Sequence, residues 1–151
     1  MKRYVRGLAL VEALLGLLLL TTSVAFLVTA GSLLASHQRR TERDRTMVGI
    51  RGALEEHLQK RGNYPESFGA PNPSVGSPGV PGPWDTNGAG WRQLNYAPEG
   101  EVEFRYQVWT WTDGYLISAT GDDDRNGIPS YYWEVWSGGK RVYAGDLRPG
   151  A

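Results

Sequence analysis

The chain has 151 residues, enough for one domain of ordinary size. Its 16 basic and 16 acidic side chains cancel, which argues against nucleic-acid binding through bulk positive charge. With no cysteine and only two histidines, disulfides, thiol catalysis, iron–sulfur clusters and cysteine zinc sites are excluded, and a histidine-built metal site is disfavoured.

The N-terminal part is apolar. Leu8 to Ala35 is a run of 28 residues with one charged side chain, Glu12. As a helix it spans roughly 42 Å at ~1.5 Å per residue, against about 30 Å for the hydrocarbon core of a bilayer. Lys2, Arg3 and Arg6 precede it and read as a basic cytoplasmic flank. Arg39, Arg40, Arg43 and Arg45 follow it, offset by Glu42 and Asp44, so charge counting alone leaves the orientation open. Val28-Thr29-Ala30 could serve a signal peptidase, and an uncleaved anchor is a second fate. Neither has a use for Glu12, whose carboxylate costs on the order of 2.5–3.5 kcal/mol in a bilayer.

The stretch Arg6-Gly7-Leu8-Ala9-Leu10-Val11-Glu12-Ala13-Leu14-Leu15 resembles the class III signal of type IV pilins and type II secretion pseudopilins. The resemblance implies that a prepilin peptidase cuts after Gly7, that the new amine of Leu8 is methylated, and that Glu12 becomes the fifth mature residue. Leu8 departs mildly from the usual Phe or Met, and the apolar run lacks the proline many pilins carry there. Leu8 and Glu12 are one helical turn apart. In a bundle of such helices, the glutamate of one subunit can neutralise the amine of the next, a pairing better suited to fixing register than to adding stability. Cutting after Gly7 leaves 13 basic against 16 acidic side chains, so the processed chain is acidic.

From residue 36 the helix is expected to continue to residue 62 as an amphipathic segment. Met47, Ile50, Leu54 and Leu58 fall at helical spacing, with Ala53 and His57 beside them. Glu56 and Lys60 form an i,i+4 pair, and Gly49 and Gly52 suit bending or close packing. Gly62-Asn63 and then Pro65 stop the helix. This ending, an alanine–leucine stretch followed by Gly-x-Tyr-Pro, is a second resemblance to pilins. Residues 63–100 read as a connecting loop, and 11 of residues 69–90 are Gly or Pro. By resemblance this region forms subunit contacts; from composition alone it could equally be a passive linker. Trp84 and Trp91 are expected to tack its second half to the body.

Residues 101–151 read as an antiparallel sheet. Val102, Phe104, Tyr106 and Val108 alternate with Glu101, Glu103, Arg105 and Gln107. Asp113-Gly114 signals a hairpin, Tyr115–Thr120 the returning strand, Tyr131–Trp136 a third, and Ser137-Gly138-Gly139 a turn into a fourth at Arg141–Ala144. The expected fold is α+β: a long N-terminal helix, its first half (8–35) transmembrane, packed through its second half on a meander of about four strands, with residues 1–7 as leader.

Asp122, Asp124 and Asn126 occupy alternate positions before Gly127, like the first half of a calcium loop. The twelfth position is Trp133, with Glu134 one later, so the closing glutamate is missing or shifted. Calcium and Asx turn-capping both account for this pattern. No catalytic constellation stands out, so no enzyme activity is expected. The leading expectation is a structural subunit, a pilin, minor pilin or pseudopilin of a type IV pilus or type II secretion filament. It would sit in the inner membrane with a periplasmic domain. Its partners would be prepilin peptidase, other subunits, an inner-membrane assembly platform and lipid. The alternative is a membrane-anchored binding module. Trp109, Trp111, Trp133 and Trp136 fall in pairs on neighbouring strands and could form a stacking platform for a ligand such as carbohydrate, or belong to the core.

Overall fold

The structure is a computed structural model that describes residues 2–74, 78–88 and 90–149, with side chains described at residue 12 and from residue 14 onward. The chain is α+β: one long helix, α1 (Lys2–Arg61), and a five-stranded antiparallel sheet in the order β1 (Phe68–Asn72), β2 (Arg105–Trp111), β3 (Gly114–Gly121), β4 (Ser130–Ser137) and β5 (Lys140–Leu147). A four-residue helix, α2 (Trp91–Leu94), lies between β1 and β2. The chain divides into two compact units, residues 1–37 and 38–151.

In the first unit α1 is long and apolar enough to cross a membrane. The large side chains from Leu14 to Leu34 are more than half exposed, so no described residue covers them. Hydroxyl groups that would be costly in lipid are satisfied within the helix. Thr22 Oγ1 donates to the Leu18 carbonyl at 3.0 Å, Ser23 Oγ to Leu19 at 2.7 Å and Thr29 Oγ1 to Ala25 at 2.9 Å.

In the second unit α1 covers one face of the sheet. Met47, Ile50 and Leu54 are buried, and Leu58 and Ala53 pack at the edge of the same cluster, as their spacing implied. Across from them lie Tyr106 and Val108 of β2, Tyr115, Ile117 and Ala119 of β3, and Tyr132 of β4. These come together because antiparallel register aligns Val108 with Ile117 and Tyr106 with Ala119 and Tyr132. The helix ends where the Gly62 amide donates to the Leu58 carbonyl at 2.8 Å with Gly62 at φ 78°, a left-handed cap.

The sheet has five strands where about four were expected. The additional one, β1, lies in the Gly/Pro-rich region. Phe68 pairs with Val108 and Asn72 with Tyr106 across an irregular register. Pro71 is tolerated because β1 is an edge strand. The strand is supported by side chains: the Thr110 amide donates to Ser67 Oγ at 2.8 Å, and Gln107 Nε2 donates to the Gly69 carbonyl. The rest of the loop is pinned as well. Asn72 is buried and exchanges two 2.9 Å bonds with the backbone of Asp85, and Gly82 and Val102 exchange two of 3.0 Å. Trp84 and Trp91 meet edge to face at 4.8 Å, and Phe68 meets Trp91 at 4.7 Å, as expected of tryptophans that fasten a loop to the core. Close packing, not bending, explains Gly49: any Cβ there would overlap the ring of Tyr96.

Two hairpins fall where expected, with one shift. Gly138 (φ 56°) and Gly139 (φ 74°) form the β4–β5 turn, with the double positive φ that favours glycine. The β2–β3 loop is Thr112-Asp113, so Gly114 begins β3. It is required there for space, since a side chain would meet the Trp136 carbonyl.

Candidate functional site

Gly7 and Leu8 lie outside the residues whose side chains are described. Glu12 is described and exposed, within the apolar run and two residues before Leu14. Its carboxylate therefore projects from the same bare rod as the leucines, at the end the leader resemblance assigns to subunit pairing.

The calcium-like residues come together in the β3–β4 loop. Asp122 Oδ1 accepts from the Asn126 amide at 3.1 Å and Oδ2 from the Gly127 amide at 2.8 Å. Asp124 Oδ1 accepts from the Asn126 amide at 3.1 Å, and Asn126 Oδ1 from the Ile128 amide at 2.7 Å. The Asp124 and Asn126 bonds are Asx turns, Asp122 closes the loop around them, and Arg125 takes a left-handed φ of 59° within it. The donor set is all oxygen, as a hard cation requires, but three side chains supply only part of the 6–8 ligands calcium takes. Glu134 does not complete it. It sits on β4 and pairs with Arg141 at 3.2 Å and Arg51 at 3.7 Å.

The middle aspartate has a different role. Asp123 is 1% exposed. Its Oδ2 accepts from Arg40 Nε at 2.8 Å and from the Tyr132 hydroxyl at 2.9 Å, and its Oδ1 accepts from Ser130 Oγ at 3.2 Å. Arg39 Nε donates to the Asp123 carbonyl at 2.9 Å. Desolvation raises the carboxyl's pKa, but the bonds from Arg40, Tyr132 and Ser130 and the Arg40 charge outweigh it, so the pKa lies below the ordinary aspartate value. Arg43 stacks on the Tyr132 ring 3.6 Å from its centroid. Asp123 thus ties α1 to the loop between β3 and β4, in a chain that has no disulfide to do so.

Further along α1 the same device recurs. The Tyr106 hydroxyl donates to Glu42 at 2.9 Å and the Tyr115 hydroxyl to Glu55 at 2.8 Å. Burial pushes the Glu42 carboxyl up, against the opposing bonds from Tyr106 and Thr46. Arg51 lies over Trp136 at 4.7 Å. Arg39, Arg40 and Arg43, which follow the apolar run, are therefore docking residues. Arg39, Arg43, Met47, Ile50 and Leu54 form one stripe at spacings of four, four, three and four, and the sequence reading began it at Met47. That spacing was the available signal; the positive charge concealed it. Trp136 is not part of an outer platform, since it stacks on Tyr115 beneath the helix at 6.2 Å.

No protein-family model, no curated protein and no solved structure matches the chain.

Proposed function

We propose that the chain is a filament subunit of the type IV pilin and pseudopilin kind. In this reading residues 8–35 anchor it in the inner membrane with the sheet on the periplasmic side. Prepilin peptidase cuts after Gly7, the Leu8 amine is methylated, and an inner-membrane platform assembles the subunits helix-inward. The observation that supports it most is the division of α1. Its apolar N-terminal length is uncovered from Leu14 to Leu34, whereas from Met47 onward it carries a sheet. A bare apolar rod needs lipid and then other such rods around it, and Glu12 gives those rods a register.

Processing is the direct test. Intact-mass and N-terminal analysis of the membrane-extracted protein is expected to find a chain starting at Leu8 with an N-methyl group. A chain starting at Met1 or Gly31 would sink the proposal.

A calcium ion on Asp122, Asp124 and Asn126 belongs to the same reading as a second fastening of the β3–β4 loop, with water or backbone oxygens making up the shell. Calcium is expected to raise the unfolding midpoint of the full-length protein in detergent by several degrees, and EGTA to reverse it. Tryptophan emission can follow this, since all six tryptophans lie between residues 84 and 136. An unchanged midpoint would remove the ion from the account.

A further inference from the structure

The face of the sheet turned away from α1 is not polar. Antiparallel register aligns Trp109 of β2 with Leu116 of β3 and Val135 of β4, and in the next row Gln107 with Ser118 and Trp133. All of these point outward, because their neighbours Val108, Ile117 and Tyr132 point into the core. The indoles are seated on glycines of adjacent strands. A methyl group at Gly145 would overlap the Trp133 ring, and one at Gly69 would lie 3.2 Å from Trp109 Nε1. Each ring therefore lies low across a neighbouring backbone. Trp109 keeps 38% of its surface open and Tyr131 42%.

Trp109 and Trp133 stand two strands and one row apart, about 12 Å at the usual strand spacing and rise. Between and beside them is a groove of about 540 Å³, within the range of small-ligand sites. Its polar groups include the oxygen of the Gln107 amide, whose Nε2 donates to the Gly69 carbonyl, and the hydroxyls of Ser118, Thr120 and Tyr131. None of its nine lining residues carries a formal charge.

We propose that this groove binds a neutral oligosaccharide. A pyranose ring has an apolar C–H face and an equatorial rim of hydroxyls. The first matches a flat indole, and the second matches the amide oxygen and hydroxyls beside the indoles. The uncharged lining complements a neutral sugar, and the one cation at its end is Arg105, the register partner of Thr120. The inference does not depend on filament assembly, because the groove lies within one sheet of one subunit.

The test uses the full-length chain in lipid nanodiscs, free of sugar-based detergent. Tryptophan emission is titrated with cellohexaose and chitohexaose as neutral probes and with an oligogalacturonate of equal length as the anionic one. At least one neutral hexasaccharide is expected to give a saturable change, weakened about tenfold or more in Trp109→Ala and in Trp133→Ala. Ser118→Ala and Thr120→Ala, which leave the aromatic seats intact, are expected to weaken it several-fold. The proposal is overturned if neither neutral probe gives a saturable change at millimolar concentration. Equal binding of the oligogalacturonate, or unchanged affinity in all four variants, overturns it too. So does a sugar-free emission change that grows with protein concentration, which would assign the face to a second copy of the chain.

Discussion

Asp123→Ala is expected to lower the unfolding free energy by about 3 kcal/mol, within the range for breaking a buried charge pair from one side. The substitution removes the acceptor of three side-chain bonds, from Arg40, Tyr132 and Ser130. Arg40 is 41% exposed and regains water, which limits the cost; the Tyr132 hydroxyl is left at a buried position without its partner. Asp123→Asn keeps an acceptor but removes the charge, so a smaller loss, about 1–2 kcal/mol, is expected. The pH dependence separates the two contributions. The folded pKa of Asp123 is depressed, so its contribution is complete above the unfolded value of about 3.9. It is lost as pH falls from there through the lower folded value. Denaturant titrations at pH 7 and pH 3 are expected to show a wild-type stability drop that is reduced in both variants. An Asp123→Ala protein as stable as wild type at pH 7 would refute the clamp.

The elements that followed a single period were legible in the sequence. Met47, Ile50 and Leu54 mark a helix face, and Val102 to Val108 alternate as one side of a sheet; all are buried. The alternation even begins before β2, since Val102 forms only an isolated bridge with Gly82. What stayed hidden depends on contacts between distant segments. The sequence Phe68-Gly69-Ala70-Pro71-Asn72 has no strand periodicity, and it becomes β1 because Ser67, Asn72 and Gln107 supply bonds the backbone alone does not. Asp122, Asp123 and Asp124 are chemically identical neighbours. Only the loop's path sends the middle one under Arg40 and leaves the outer two to fold the turn. The tryptophans were partly legible. Strand parity separates Trp133 from Trp136, which puts the first outside and the second against Tyr115. Parity does not reveal that Trp109 and Trp133 rest on Gly69 and Gly145, because those seats are on other strands.

Replacing Glu12 by alanine is expected to abolish or impair incorporation into the proposed filament while membrane insertion is retained. The two outcomes diverge for a physical reason. A carboxylate in a bilayer costs on the order of 2.5–3.5 kcal/mol, so alanine makes insertion easier. In the proposed filament the same position would lie in a bundle of apolar rods, where leucine packs on leucine with little preference for one axial offset. A charge pair between Glu12 and the Leu8 amine of a neighbour, one turn apart along each helix, selects a single offset and penalises the others, which leave a charge unpaired. Losing that selection is expected to lower filament yield by about tenfold or more, corresponding to at least 1.4 kcal/mol per contact. Glu12→Gln keeps the shape without the charge and is expected to fail as alanine does, whereas Glu12→Asp keeps the charge on a shorter arm and is expected to assemble partially. The measurement compares the sheared filament fraction with the membrane fraction for each variant, in a strain that assembles the wild-type chain. Normal filament yield from Glu12→Gln would show that the carboxylate's charge has no part in assembly. The register would then have to come from packing among the side chains that stand uncovered from Leu14 to Leu34.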